Sequence, residues 1–246
     1  MATTTSDAPK FPLHEACRRG NLSLVEQLVK ESPKKAYEKD GDGRLPIHWA
    51  ASSNSAGIVL LLSGLPGFDP DVQDESGWSP FMIASNVNDS EEVLNVLLGR
   101  DADINQKNYN GQTPLHLIAS KNKLDMARTL FDQKPPASAR VRDKRGQYPI
   151  HRAAAIGSTP MITLLLEHRS PLDATDNSGY TALHHAIAEG HGDAAVTLLK
   201  AGADSTKREE SGLLAIDLAP DVEVRPRTYR MVGMIANKLD TGPTVH

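Results

Sequence analysis

The chain has 246 residues, of which 39% are apolar, and a formal net charge of -4 at pH 7. The slight excess of acidic residues argues against a general binder of nucleic acid, because proteins that bind phosphate backbones are usually basic. The single cysteine, Cys17, excludes an internal disulfide framework and suits a reducing compartment, where it would serve as a small core residue.

The sequence indicates neither export nor membrane insertion. Its beginning, Met1 to Lys10, lacks the apolar stretch of a secretory signal. The longest strongly apolar run, Ile58 to Leu62, is far shorter than the roughly 20 residues that cross a bilayer. We therefore expect a soluble cytoplasmic and nuclear protein that contacts neither membrane nor nucleic acid and is monomeric when free. Residues 1–8 and 240–246 are expected to be disordered tails.

A tetrapeptide close to Thr-Pro-Leu-His recurs along the chain, and each copy after the first closely follows a turn glycine. Successive glycines are 34, 34, 35, 33 and 33 residues apart. Three residues before each of them stands Asp, Asn or Glu, and Asp or Asn at that position is typical of a type I turn. Each repeat is therefore predicted to begin with a turn. The glycines are Gly43, Gly77, Gly111, Gly146, Gly179 and Gly212.

Two helices are predicted after each turn. Proline falls in the first turn of the first helix, as at Pro46 and Pro114, where a missing amide hydrogen costs nothing. Small residues continue this helix until a glycine such as Gly157 ends it. The second helix is more apolar, with helical spacing of its apolar residues, as in Met161 to Leu166. This unit of about 33 residues resembles the ankyrin repeat, which cannot bury its apolar face alone.

The repeats predict an all-α ankyrin-repeat solenoid, in which seven helix-turn-helix units with β-hairpin or turn fingers form a single array over residues 9–239. The first motif, Phe11 to His14, has lost its glycine, and the last, Leu214 to Asp217, has lost both proline and histidine. Looser structure is expected in the last unit, where Pro220 to Pro226 precedes an apolar stretch from Tyr229 to Leu239. The predicted units are about 9–39, 40–73, 74–107, 108–142, 143–175, 176–208 and 209–239.

Nine histidines raise the question of a metal or catalytic site. Packed helices lie about 8–10 Å apart, whereas the ligands of one zinc ion lie roughly 2 Å from it. One histidine per repeat therefore predicts imidazoles bonded to the backbone of the turns. The tighter cluster of His184, His185 and His191 leaves incidental metal binding open. The five motif histidines are His14, His48, His116, His151 and His184.

Catalytic motifs are not evident in the sequence. It contains no phosphate-binding loop, no nucleophile elbow and no paired-carboxylate arrangement. We therefore predict a protein that is not an enzyme, with no catalytic residues, no cofactor and no metal.

Function is expected on the concave face, which the turn tips and the exposed sides of the first helices form. Both tryptophans, Trp49 and Trp78, are predicted to lie there together with Arg44, and Trp, Tyr and Arg are enriched at binding hot spots. Basic side chains dominate the first five units and acidic ones follow, so a partner should carry the opposite polarity. The predicted protein-binding residues are Arg18, Arg19, Asp42, Arg44, Trp49, Glu75, Trp78, Tyr109, Lys121, Arg145, Arg152, Tyr180 and Glu189.

Several segments resemble the gankyrin family, the seven-repeat chaperones of proteasome assembly. The matching stretches are Asp40 to Ala50, Gly77 to Pro80, Ser120 to Asn122 and His151 to Ala155. A further run, Ala188 to Ala195, resembles the fungal members in particular. The resemblance covers residues 11–239, and it includes Arg44, Trp49, Trp78 and Lys121, which the general ankyrin pattern does not require.

The resemblance implies that the concave face binds the C-terminal domain of one ATPase subunit of the proteasome's regulatory particle. It implies that Arg44 and Lys121 pair with acidic side chains of that partner, and that occupancy sterically delays docking of the ATPase ring on the core particle. The Leu-x-Cys-x-Glu motif of the animal proteins is replaced here by His184 to Glu189, so its tumour-suppressor partner is not implied. Another ankyrin-repeat adaptor or kinase-inhibitor module is the alternative, because the fold alone does not select a partner.

Overall fold

The computed structural model describes residues 10–220. These residues belong to two compact units, the first ending at Tyr109 and the second beginning at Asn110. The boundary falls inside the predicted repeat 108–142, within its turn. The predicted tails at 1–8 and 240–246, and the apolar stretch Tyr229 to Leu239 of the last repeat, lie outside the described residues.

The described residues form six helix pairs and two short 3-10 helices. In the first unit these are α1 (Pro12–Arg18), α2 (Leu22–Glu31), a 3-10 helix (Pro33–Tyr37), α3 (Pro46–Ser52), α4 (Ala56–Ser63), α5 (Pro80–Asn86) and α6 (Glu91–Leu98). In the second unit they are α7 (Pro114–Ser120), α8 (Leu124–Phe131), α9 (Pro149–Ala155), α10 (Thr159–Glu167), α11 (Ala182–Ala188), α12 (Gly192–Lys200) and a 3-10 helix (Ala215–Leu218). Every predicted proline start is confirmed, because α1, α3, α5, α7 and α9 each begin at a proline.

The turns before the first helices are held by the predicted acidic side chains. Oδ1 of Asp40 accepts the backbone N–H groups of Asp42 and Arg44, both at 2.9 Å. Asp74, Asp143 and Asp176 accept the corresponding pair of N–H groups in their own turns. Glu209, which has a longer side chain, does the same with its two carboxylate oxygens. The fingers are therefore turns, and within residues 10–220 the one isolated β-bridge joins Arg208 to Leu214.

Helices of the same type pack on each other within each unit. In the first unit α1 packs on α3 and α3 on α5, while α2 packs on α4 and α4 on α6. In the second unit α9 packs on both α7 and α11, and α10 packs on both α8 and α12. Small residues permit the close approach of the first helices, since Ala153, Ala154 and Ala186 are fully buried. Cys17 is also a core residue, and burial raises the pKa of its thiol to about 12.

The motif histidines link adjacent turns through the backbone, as predicted. Nδ1 of His151 accepts the N–H of Tyr148 at 3.0 Å, and Nε2 donates to the carbonyl of Ala174 at 3.0 Å. His48 and His116 use both ring nitrogens in the same way. Each ring is thus a neutral imidazole that satisfies one donor and one acceptor of the main chain.

His184 departs from this pattern. Its Nδ1 accepts the N–H of Thr181 at 3.3 Å, but its buried Nε2 has no hydrogen-bond partner among the described residues. In the first repeat His14 bonds the carbonyl of Arg44, one residue after the turn glycine, at 3.0 Å. The equivalent carbonyl for His184 belongs to Leu213, in the repeat that has lost proline and histidine. Burial lowers the pKa of His184, and the Leu213 carbonyl is the main group that opposes this shift, so the ring and that carbonyl remain close. The link to the degenerate last repeat is thus present but weaker than the corresponding links in the other repeats.

Acidification should destabilise the fold through His151. Burial, reinforced by the charge of nearby His185, lowers the pKa of His151 from 6.5 to about 4. His151 therefore takes up a proton near pH 6.5 in the unfolded chain but only near pH 4 in the folded chain. Its contribution to the free energy of unfolding is present above this pH range and is lost as the pH falls through the range. The loss attributable to His151 is about 3 kcal/mol.

Urea unfolding of the wild type and of His151→Gln at several pH values measures this contribution. Glutamine supplies a donor and an acceptor but does not titrate. Between pH 6.5 and 4 the free energy of unfolding of the variant should therefore fall by about 3 kcal/mol less than that of the wild type. Identical pH profiles for the two proteins would contradict the assignment.

Candidate protein-binding surface

The predicted binding residues lie on the turn tips and on the first helices, which we call the finger face of each unit. In the first unit the finger face contains Arg18, Arg19, Asp42, Arg44, Trp49, Glu75, Trp78 and Tyr109. In the second unit it contains Lys121, Arg145, Arg152, Tyr180 and Glu189. None of these thirteen residues is buried, which a binding role requires.

The centre of the first finger face is a cation held over an aromatic ring. The guanidinium carbon of Arg44 lies 5.2 Å from the ring centroid of Trp49. Nε of Arg44 donates to Oδ2 of Asp74 at 3.0 Å, and the indole N–H of Trp49 donates to Oδ2 of Asp40 at 2.7 Å. Two turn aspartates thus fix the orientation of both side chains. A preorganised pair loses little conformational entropy when a partner binds.

The same contacts modify what the sequence indicated about Arg44 and Trp49. Trp49 is half-buried, not freely exposed, because its indole reaches back to Asp40. Arg44 already has an anionic partner in the buried carboxylate of Asp74, yet 30% of its side chain remains exposed. Arg44 can therefore pair with an acidic side chain of a partner protein only while it also keeps its bond to Asp74.

Trp78 and Tyr109 lie on the following two fingers, which approach each other closely. The N–H of Tyr109 donates to the carbonyl of Ser76 at 3.1 Å. Gly77, with φ of 78°, lies so close that an added Cβ would stand 2.6 Å from Cδ1 of Tyr109. Only glycine allows this approach. Tyr109 remains 58% exposed and Trp78 is half-buried, so the two rings form an aromatic part of the finger face.

The remaining first-unit residues of the finger face differ in whether their charged groups already have partners within the chain. Arg18 and Arg19 are exposed but both pair with Glu15, and the hydrogen bond from Arg18 is the main cause that lowers the pKa of Glu15 to about 2. Asp42 and Glu75 occupy neighbouring tips that are joined by a 3.0 Å bond from the Glu75 N–H to the Asp42 carbonyl. The arginine pair is thus partly neutralised, whereas the acidic tips remain open to solvent.

A cavity of about 300 Å³ opens beside Trp49 at the start of the first unit. Phe11 and Trp49 supply apolar walls, and Asp40 and Glu15 supply charge. Its full lining is Lys10, Phe11, His14, Glu15, Arg18, Asp40 and Trp49. The cavity is large enough for one or two side chains of a bound protein.

The second unit repeats the link between a turn aspartate and its first helix. Nη2 of Arg152 donates to Oδ2 of Asp143 at 2.9 Å, and Nε2 of His185 bonds Oδ2 of Asp176 at 2.9 Å. Together with Asp40 and Trp49, these pairs are all nine residues apart. This role of the aspartates was not predicted from the sequence, although the fixed nine-residue spacing was the signal that could have revealed it.

The other second-unit residues have varied surroundings. Arg145 and Tyr180 line a cleft of about 680 Å³ whose lining also includes Lys144 and Glu210. The exposed residues Lys121 and Glu189 cap the C-terminal ends of α7 and α11. Lys121 makes no ion pair with any residue in the range 10–220. It is therefore more available to a partner than Arg152, whose cation is committed to Asp143.

Removing the carboxylate of Asp143 should destabilise the second unit strongly. Its side chain is 1% exposed, and it accepts two backbone N–H groups as well as the Arg152 guanidinium. Asp143→Ala would leave these donors unsatisfied, at a cost of about 3–5 kcal/mol. Asp42→Ala, at an exposed finger tip, should cost less than about 0.5 kcal/mol. Urea unfolding midpoints test this contrast, and equal losses for the two variants would contradict it.

Within the described part of the chain, no three histidine, cysteine or acidic side chains converge in an arrangement suited to a metal ion. Nor does any helix described here combine the length and apolarity needed to span a bilayer.

Residues 2–74, 58–139 and 134–209 match the family of ankyrin repeats, in three copies. The protein therefore belongs to the ankyrin-repeat family, which confirms the predicted all-α repeat fold. The crystal structure of the human ASB11 ankyrin repeat domain is similar in fold, with a TM-score of 0.78 at 20% identity, over 89% of this chain and 97% of that domain.

Two yeast proteins are similar over most of their length. The probable 26S proteasome regulatory subunit p28 of Saccharomyces cerevisiae is 38% identical over 221 residues, which cover 87% of this chain and 96% of the yeast protein. The ankyrin repeat-containing protein C6C3.08 of Schizosaccharomyces pombe is 38% identical over 199 residues, with 80% and 85% covered. The resemblance to the gankyrin family is confirmed by the first of these, a gankyrin homologue. Such proteins are non-catalytic interaction modules, so the prediction that the chain is not an enzyme is also confirmed.

Proposed function

We propose that this protein is a non-catalytic chaperone of proteasome regulatory-particle assembly. Its finger faces bind the C-terminal domain of one proteasomal AAA ATPase subunit. The bound chaperone occupies space that the ATPase ring needs when it docks on the core particle, and so delays that docking. The mechanism is steric and acts in the cytoplasm and the nucleus.

The observation that carries the proposal is the Arg44 and Trp49 pair on the first finger face. It presents a fixed cation and an aromatic ring together, held by Asp40 and Asp74. Trp and Arg are the residue types that most often dominate binding energy at protein interfaces. The exposed aromatic ring of Tyr109 extends this surface. A folded protein domain with acidic and apolar side chains is the partner that such a surface suits.

The choice of the proteasome is supported by the relationship to the yeast protein. That protein is called a probable 26S proteasome regulatory subunit, and this chain spans 96% of its length. The sequence stretches that resemble gankyrin include Arg44, Trp49, Trp78 and Lys121, so the relationship extends to the candidate surface as well as to the repeat framework.

Isothermal titration calorimetry with purified C-terminal domains of the regulatory-particle ATPase subunits tests the proposal. We expect one of these domains to bind with a Kd below about 1 μM, and the full protein to slow docking of the regulatory particle on the core particle. If none of the domains binds, and affinity capture retrieves a kinase or another adaptor target, the alternative of a different ankyrin-repeat interaction module is favoured.

A further inference from the structure

The chain contains five serine or threonine residues that directly precede proline. Four of them are unsuited to an external reagent. Ser79, Thr113 and Ser170 are buried. Thr159 is the first residue of α10, with Pro160 as the second, so its backbone is committed to a helix. The fifth is Ser32, followed by Pro33.

Ser32 has a different environment from the other four. It joins α2 to the 3-10 helix that begins at Pro33, with φ of -151° and ψ of 86°. Its side chain forms no capping bond with the 3-10 helix, and no hydrogen bond of its hydroxyl is formed with the described residues. It is partly exposed, and Pro33 beside it is exposed. The hydroxyl of Ser32 is thus accessible and uncommitted, on extended backbone.

The residues after Ser32 provide a basic flank. Lys34 is exposed and Lys35 is partly exposed, and neither forms an ion pair with a residue that the structure describes. The backbone bond from the Lys35 N–H to the Ser32 carbonyl is 3.1 Å long, and it belongs to a 3-10 helix of only five residues. Short 3-10 helices have poor hydrogen-bond geometry. Extending Ser32 to Lys35 breaks this bond, whereas the Ser32 N–H can keep its 3.0 Å bond to the carbonyl of Leu28 at the end of α2.

We propose that Ser32 is a phosphorylation site for a proline-directed protein kinase that selects a basic residue two or three positions after the serine. Oγ of Ser32 attacks the γ-phosphorus of a magnesium-bound nucleoside triphosphate. The Oγ–P bond forms while the bond from phosphorus to the β,γ-bridging oxygen breaks. The nucleoside diphosphate leaves, and the hydroxyl proton passes to the catalytic base of the kinase.

The modification changes the charge of one connection without requiring a change of fold. A phosphoserine carries about -1.5 to -2 charges at neutral pH, and Lys34 and Lys35 follow it two and three positions further along the chain. The segment between α2 and the first finger, which carries three lysines and one glutamate, changes from basic to nearly neutral. The first unit then carries a phosphoserine-proline motif. A protein that binds such motifs can distinguish the modified protein from the unmodified one.

The test treats the purified full-length protein with a cyclin-dependent kinase and magnesium ATP, and locates phosphate by peptide mass spectrometry. We expect a single phosphate, at Ser32, that is absent from Ser32→Ala and retained in the matched control Thr159→Ala. Reversing both lysines in Lys34→Glu, Lys35→Glu should slow incorporation by at least about tenfold, because acidic residues repel a site built for a basic flank.

A second arm treats heat-unfolded protein, in which labelling should still be confined to Ser32, because none of the other four steps has lysine or arginine two or three positions after the serine or threonine. Labelling of those steps at a rate similar to that of Ser32 would contradict the proposed preference for a basic flank. No phosphate at Ser32 in the folded protein, or undiminished incorporation in Ser32→Ala, would overturn the proposal.

Discussion

Affinity for the ATPase C-terminal domain should fall by at least about tenfold, and by up to about a thousandfold, when Arg44→Gln is combined with Lys121→Glu. Lys121 is exposed and makes no ion pair with the described residues, so reversing its charge acts on the partner directly. Glutamine at position 44 keeps a donor near buried Asp74 but removes the cation above Trp49. Calorimetry at two salt concentrations measures both the loss and its ionic component.

Arg44→Glu is a poorer test than Arg44→Gln. It would place a carboxylate beside the buried carboxylate of Asp74, which now lies 3.0 Å from Arg44. A loss of binding could then arise from a damaged finger. Lys200→Glu, an exposed charge reversal at the end of α12, is the matched control and should bind like the wild type. An unchanged affinity of the double variant, or an equal loss of affinity in the control, would remove the proposed role of these two cations.

Truncation of Trp78 should weaken the same complex by about 2–4 kcal/mol, because a half-buried indole that a partner covers buries a large apolar area. Trp78 forms no side-chain hydrogen bond within residues 10–220, unlike Trp49, which bonds to Asp40. Trp78→Ala should therefore affect binding more than stability, and calorimetry together with urea unfolding separates the two effects.

Leu60→Ala supplies the comparison for that truncation. Leu60 lies in α4, a second helix, and is 55% exposed. The substitution removes apolar surface from the same unit, at a position away from the finger face. If Leu60→Ala lowered the affinity as much as Trp78→Ala did, the binding surface would include the second helices and the proposed assignment would be wrong.

Much of the fold was predictable because its signals are local. The turn aspartates, the turn glycines and the helix-starting prolines each act within a few residues, and the structure places them as the sequence indicates. The motif histidines were also predictable, since their pitch along the chain excludes a shared metal ion. His184 is the exception, because its weaker link to the Leu213 carbonyl depends on a degenerate repeat 29 residues further on.

The candidate surface was predictable only in outline. That Trp49 and Trp78 share a face follows from the repeat register, but the contact between Arg44 and Asp74 joins residues 30 positions apart in adjacent repeats. It depends on how closely the fingers stack, which no local pattern gives. The contacts of Asp40 with Trp49 and of Asp143 with Arg152 lie within single repeats. Their nine-residue spacing is visible in the sequence. The contacts could have been predicted from it, because each turn aspartate has a second carboxylate oxygen that does not bond the turn.

The central claim is that the finger face, and not the surface of the second helices, binds the ATPase domain. It is tested most directly by placing a photo-crosslinking amino acid at Tyr109 in one variant and at Leu60 in another. The two positions are almost equally exposed, at 58% and 55%, so solvent access does not favour either. The account predicts crosslinks to the ATPase C-terminal domain from position 109 and none from position 60. Crosslinks from position 60 alone would contradict it.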